Sequence, residues 1–310
     1  MDPTYSQVIN VTATHVLSQK IFKAVRLPSL DIYGSPIDPS EFVWNAREWM
    51  NALSSGSQDP RFEWRKVASQ KGVSLRTLAE WIELEMGAIK AAGGAYIPIC
   101  DRRYPQLLRH IATPPPALMT LGNYNLLSLP MVAIIGARKA SAHAVMQTEL
   151  VSRWLVDRGL VVVSGGALGC DIAAHFGTLL SHRNPGSTVA VLACGLRRFY
   201  PRQNQRVFDA MLKTKGVFVS ERLWSSPCRP RDFPIRNRII SGMAGKVLLM
   251  QATIKSGSYL TANLALDQGR EVYVLSHPAH DVRACGSRAL MEDGAISFEN
   301  IASFEDVWIN

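Results

Sequence analysis

The chain has 310 residues, 47% hydrophobic and 19% charged, with a formal net charge of +9. That length and apolar content suit an ordinary globular protein with one sizeable core and a smaller appended domain. No apolar run reaches the roughly 18 residues a bilayer span needs, and the N-terminal MDPTYSQVIN has neither the basic nor the apolar region of a secretory leader, so a cytoplasmic protein with no membrane contact is expected.

In chain order, residues 1–60 hold short apolar stretches interrupted by Pro28, Gly34, Pro36, Pro39 and Gly56, show no sustained periodicity, and stay unassigned. Over 61–95, Val67, Leu75, Leu78, Trp81, Ile82, Met86 and Ile89 recur at spacings of three and four, with Gly72 as a turn, which predicts a small helical domain of two short helices. Such a pair serves either as a helix-turn-helix for duplex DNA or as two helices packed on their own core. Residues 96–130 carry Pro98, Pro105, Pro114, Pro115 and Pro116 and read as an extended connector packed on the core.

From 131 to 310 the texture changes to short continuous apolar runs separated by helical stretches, the pattern of buried parallel strands with crossover helices. Six strands are predicted: Met131–Ile135, Leu160–Ser164, Thr188–Ala193, Gly216–Ser220, Lys246–Gln251 and Glu271–Leu275. The fold class is therefore α/β, a doubly wound, mostly parallel sheet with a smaller N-terminal helical domain. The five cysteines (Cys100, Cys170, Cys194, Cys228, Cys285) are odd in number and widely spaced, as reduced thiols are.

Ligands of doubly wound sheets bind beyond the carboxyl ends of the strands. Those ends carry Gly136-Ala137-Arg138, Gly165-Gly166-Ala167-Leu168-Gly169, Gly195, and Lys255-Ser256-Gly257-Ser258. Glycine lets successive backbone N–H groups approach an anion closely. Ser256 or Ser258 can cap the helix that follows and leave its positive end facing the site, while Arg138 and Lys255 add charge. Glycines after strands also serve plain tight turns, but four such loops at one sheet edge point to an anion site. Between 196 and 238, eleven Lys/Arg face three acids, Asp209, Glu221 and Asp232, and nearly the whole net charge sits there, as a polyanion track or a solvated basic surface.

No ATP-binding P-loop, complete dinucleotide fingerprint or serine-hydrolase elbow is present, so neither catalysis nor a cofactor is expected. Asp171 and His175, four apart, suggest a metal or base pair, against which Asp171 reads more simply as a helix N-cap. His277, His280 and Cys285 share a loop and lack a fourth zinc ligand; a plain loop is the simpler reading.

Seven blocks carry a family resemblance: YPQLL (104–108) followed by PPALMTLGN, VAIIGARKAS (132–141), VVVSGGALGCDIAAH (161–175), AVLACGL with YPRQN (200–204), FPIRNRIISGMA (233–244), SGSYLTA (256–262) and GREVYVLSHP (269–278). Together, over about residues 95–296, they resemble bacterial DNA-processing proteins of the DprA/Smf type. The resemblance implies a Rossmann-like homodimer that binds single-stranded DNA by its phosphates and helps load a RecA-type recombinase during natural transformation and recombination. It carries DNA binding onto Arg138, Gly165, Gly166, Lys255, Ser256, Gly257 and Ser258. The R-N-R block Arg236-Asn237-Arg238 is partly structural, with Asn237 tying loops together and Arg236 the better DNA contact. Two positions depart from the family pattern: Leu168 where a basic residue is usual, and Gln251 where a glutamate is usual. Phe199, Tyr200, Phe208, Trp224 and Phe233 are interleaved with the basic stretch as candidates for base stacking, some of them core. The rivals are a nucleotide-sensing or nucleotide-processing protein, which would need an acidic residue where Gln251 stands, and a scaffold with a vestigial pocket.

Overall fold

Continuous apolar strands arise where both faces of a sheet are covered, and the computed structural model, which describes residues 3–21 and 64–309, has that arrangement. Among the described residues nine strands form one sheet: β1 (Gly94–Pro98), β2 (Ala117–Gly122), β3 (Met131–Ile135), β4 (Val161–Ser164), β5 (Thr188–Val191), β6 (Val217–Ser220), β7 (Lys246–Leu249), β8 (Glu271–Leu275) and β9 (Ile296–Phe298). Their order is β1-β2-β6-β5-β4-β3-β7-β8-β9. The pairs from β6 across to β9 are parallel, and β1-β2 and β2-β6 are antiparallel.

In β3, β4, β7 and β8 the side chains alternate between two cores, while β5 and β6 belong wholly to the first. Ala133, Val163, Val247 and Val274 face one side, with Phe208, Ile239, Ala262 and Leu290 packed over them. Val132, Val162, Leu248 and Tyr273 face the other, under Trp154, Ala174 and Phe304. The helices are α1 (Pro3–Ile21), α2 (Trp64–Gln70), α3 (Leu75–Ala91), α4 (Gln106–Arg109), α5 (Ala142–Asp157), α6 (Cys170–Leu179), α7 (Gln205–Lys213), α8 (Asp232–Met243), α9 (Gly257–Asp267), α10 (Cys285–Glu292) and α11 (Ile301–Ile309). The chain runs outward from β3 through β4, β5 and β6, then returns to β7 on the other side of β3, so the order reverses between β3 and β7.

The six expected strands are present as β3 to β8, but three more were not legible. The connector supplies two of them, β1 and β2, as an antiparallel pair. Pro98 ends β1 on the outer edge of the sheet, where a missing N–H breaks no ladder, so a residue that reads as an interruption is compatible with a strand. β9 has only three residues, two of them exposed, too few for a pattern.

Within 1–60, the structure places α1 over 3–21, and residues 22–60 lie outside the described residues. Residues 8–17 of α1 are all buried. A helix buried all round has no polar face, which is why periodicity was absent. The expected helix pair stands at α2 and α3; Ser74 caps α3 by accepting from the Thr77 amide at 3.1 Å, and Gly72 turns between the two with φ +64°. Val11, Leu78 and Ile82 belong to the same apolar cluster as Ile97 and Leu118 of β1 and β2. The N-terminal helices are thereby laid on the antiparallel edge. The described cysteines are all unpaired, and no described helix is long and apolar enough to cross a membrane.

His175 on α6 is fully buried, its Nδ1 2.8 Å from Thr188 Oγ1. Burial, reinforced by the charge of Arg236, pushes its pKa down to about 3. The unfolded chain takes up this proton below about pH 6.5 while the folded chain does not. Stability is therefore complete above that pH and declines as pH falls from about 6.5 toward 3. Urea unfolding at pH 7 and pH 5 should show a loss on the order of 1 kcal/mol per pH unit from this group, and His175→Gln should make the dependence shallower; an unchanged slope would refute the assignment.

Candidate nucleic-acid interface

The loops that follow β3, β4 and β7 meet at the carboxyl edge of the sheet. Ser258 Oγ donates to the Gly136 carbonyl at 2.6 Å, joining the start of α9 to the turn after β3. Gly169, with φ +75°, packs so closely on the carbonyls of Ala137 and Arg138 that a Cβ there would overlap them, and one at Gly136 would overlap Cys170. Asn237 Nδ2 reaches the Gly257 carbonyl at 3.4 Å. Arg138 and Lys255, on adjoining loops, are both exposed, as is Lys139.

Ser256 is the N-cap of α9, its Oγ accepting from the Tyr259 amide at 3.2 Å, with Gly257 exposed beside it. Ser258 turns to Gly136 instead. Gly165 and Gly166 are buried. Gly166, with φ +68°, would press a Cβ onto the Phe208 ring at 3.1 Å, and Asn204 Nδ2 holds its carbonyl at 2.9 Å.

Several loop amides converge on an internal anion. Asp171 is not the N-cap of α6, which is Gly169, but sits in its first turn. Its buried carboxylate accepts from the amide of Ala167 at 3.4 Å, and the nearby amides of Gly165 and Gly136 add favourable polarity around it. Burial raises its pKa, and Arg236 together with these amides works against the rise. Sequence reasoning aimed these donors outward at a phosphate; a carboxylate one residue inside a helix that follows a glycine loop is the signal that redirects them.

Arg236 is also internal. It is 6% exposed, and its Nη1 donates to the Gly165 carbonyl at 2.7 Å and to the Val191 carbonyl. Burial lowers its pKa, as does Arg138, with Asp171 opposing. The loop-tying role within the R-N-R block therefore belongs chiefly to Arg236, whose guanidinium is turned inward because α8 packs over β4 and β5. Arg238 is paired with Glu221 at 2.7 Å.

Gln251 is fully buried at the end of β7. Its Oε1 accepts from the Ser141 amide at 2.8 Å and its Nε2 donates to Asp281 at 2.9 Å, so it binds the first turn of α5 to the loop after β8. His277 hydrogen bonds to the Met250 carbonyl at 2.7 Å, and no cluster able to hold a metal is found among the described residues.

The basic stretch divides in space. α7 carries the chain from the carboxyl edge of the sheet to the amino edge, so Lys213 and Lys215 lie at the far end, Lys215 bonded to Asn184 ahead of β5. Arg222 is held by Asp232 at 2.7 Å. Arg197, Arg198, Arg202 and Arg206 are exposed on the near side. Arg197, Arg198 and Arg202 line two adjoining hollows of about 400 and 560 Å³, shared with Phe199.

Among the interleaved aromatics, Phe208 is core, packed edge-on to Phe199 and Phe218. Tyr200 is 48% exposed. Its ring meets Phe233 at 5.9 Å, and the Arg138 guanidinium lies over the same Phe233 ring at 5.4 Å. Arg138, Phe233 and Tyr200 thus form a continuous row from the glycine loops toward the arginine-lined hollows.

Sheet order, alternating cores and this cationic, aromatic carboxyl edge define a Rossmann-like α/β protein. The family profile of DNA recombination-mediator protein A matches residues 95–308. The DNA processing protein DprA of Bacillus subtilis is 34% identical over 224 residues, 72% of this chain and 73% of that protein. Protein Smf of Escherichia coli is 33% identical over 237 residues, and the match spans 63% of its length. A solved DNA processing protein A from Helicobacter pylori, described for its single-stranded DNA binding mode, superposes with a TM-score of 0.62 at 30% identity, covering 69% of this chain and 95% of that one. DprA of Streptococcus pneumoniae superposes with a TM-score of 0.68 at 25% identity over 98% of this chain and 97% of that one. The chain belongs to the DprA/Smf family.

Gly165→Ala should place a methyl group against the Arg236 guanidinium and break one of its two carbonyl contacts. Urea denaturation should show a loss of about 1–3 kcal/mol; a variant as stable as the parent would mean that this packing contributes nothing.

Proposed function

We propose that the chain binds single-stranded DNA along its carboxyl sheet edge, with no catalytic step and no cofactor. The observation that carries this reading is the convergence of Arg138, Lys139 and Lys255 on interlocked loops, continued by Phe233 and Tyr200 toward Arg197, Arg198 and Arg202. Phosphates are held by the exposed cations and by the amides at the start of α9, around Ser256, Gly257 and Ser258. Gly165, Gly166, Arg236 and Asn237 keep those loops in register from beneath. Exposed Tyr200 offers a face on which a base stacks without sequence preference.

The family relationship supports the same reading, since the Helicobacter pylori relative is described as a single-stranded DNA binder. It also supports a homodimer that passes the strand to a RecA-type recombinase. A free-nucleotide site is less well served: where such chemistry calls for an acidic residue, Gln251 is spent on Ser141 and Asp281.

Titration with oligo-dT at two salt concentrations tests the proposal. Log affinity should fall by about 0.7 per phosphate neutralised for each tenfold rise in salt, and a flat response would dismiss it. Arg138→Ala and Lys255→Ala should each weaken binding on the order of tenfold, as expected for a charge-assisted contact. Arg198→Ala should cost less, and Lys213→Ala, at the opposite sheet edge, nothing; equal losses at all four sites would remove the edge as the centre of binding.

A further inference from the structure

We infer that Glu85 of α3 is a positioning residue for the arginine-lined part of the DNA track, an inference that rests on the single-strand reading above. Glu85 lies before residue 95, outside the match to the family profile, yet it is 2% exposed and both carboxylate oxygens are engaged. Oε1 pairs with Lys20 of α1 at 2.8 Å. Oε2 accepts from the Trp224 amide at 2.9 Å, in the loop after β6.

That loop in turn sets the one that carries the arginines. The Trp224 carbonyl accepts from the Arg197 amide at 3.0 Å, and the Ser226 carbonyl accepts from the Gly195 amide at 2.9 Å. The approach is so close that a Cβ on Gly195 would overlap the carbonyls of Leu223 and Trp224. Trp224 also lines the hollow shared by Arg197, Arg198 and Arg202.

Two further N-terminal side chains grip the same segment from α1. His15 Nε2 donates to the Glu221 carbonyl at 2.8 Å, and Gln19 Oε1 accepts from Arg222 Nη1 at 3.0 Å. A buried carboxylate carries a desolvation penalty unless its partners are well placed. Here the partners are a lysine and a backbone amide of the adjoining loop, so the carboxylate fixes that loop in one position. The N-terminal helices thereby act on the strand through Glu85 and not by touching it.

The test compares full-length protein on oligo-dT of about 5 nucleotides, enough for the Arg138–Lys255 cradle, and of about 20, which also reaches the arginines. Glu85→Ala should bind the short oligomer like the parent and the long one about five- to tenfold more weakly. Its salt slope on the long oligomer should be smaller by about 1–2, the share of two or three phosphates. Arg197→Ala with Arg198→Ala should reproduce that loss, and adding Glu85→Ala to the pair should change little more, since residues acting through one contact are not additive. Glu85→Gln, which keeps an acceptor for the Trp224 amide, should recover most of the length gain. Should Glu85→Ala fail to fold, Lys20→Ala replaces it, which keeps the Trp224 bond but deprives the buried carboxylate of its cation, with about a threefold loss expected on the long oligomer alone. Equal weakening at both lengths, or none at either, overturns the inference while leaving the single-strand reading intact. A parent protein that binds neither length removes both.

Discussion

At the carboxyl edge of the sheet a carboxylate and a guanidinium are taken out of water together. Asp171 gathers amides from the loops after β3 and β4, and Arg236 reaches from α8 to the carbonyls of Gly165 and Val191. Neither charge is comfortable in the interior without the other and without those backbone partners. Because the partners come from β3, β4 and β5, the strand ends are held as a unit. Rigid loops with small residues at their crossings then leave longer cations, Arg138, Lys139 and Lys255, on the outside.

The arrangement separates two tasks that a phosphate loop often combines. The amides of Ala167 and Gly195 and the carbonyls of Gly165 and Gly166 are spent on holding the edge together, and exposed side chains with the first turn of α9 face outward. The single-strand binding proposed for this edge would draw on charge and on stacking, and both are indifferent to base identity. Gln251 fits the same logic. A neutral amide bridges Ser141 and Asp281 with one acceptor and one donor, whereas a carboxylate there would present two acceptors to Asp281.

The N-terminal helices extend this design beyond residues 95–308, the region matched by the family profile. They share the apolar cluster of β1 and β2, and Glu85, His15 and Gln19 hold the loop after β6 by directional bonds. The basic surface around Arg197 is therefore shaped from both sides, by the sheet edge and by a helical layer distant in sequence.

Much of this was legible in the residues alone. β3 and β8 lie where their apolar runs predicted, β3 because a strand buried along its whole length has no polar position to blur its ends, and the glycine loops after β3 and β4 mark the carboxyl edge as the candidate site. What the one-dimensional pattern does not carry is direction. Arg236 and Arg138 look equivalent in a chain reading, yet α8 turns the first inward and the turn after β3 leaves the second exposed. A basic run from 196 to 238 looks continuous, yet α7 moves Lys213 and Lys215 to the opposite end of the sheet. α1 has no periodicity because residues 8–17 are buried on every side, and its contact with the loop after β6 joins residues some two hundred positions apart. Composition and spacing determined the six central strands and the edge at which the glycine turns gather; only tertiary packing decided which charges face water, because the partners that desolvate a side chain come from other segments of the chain.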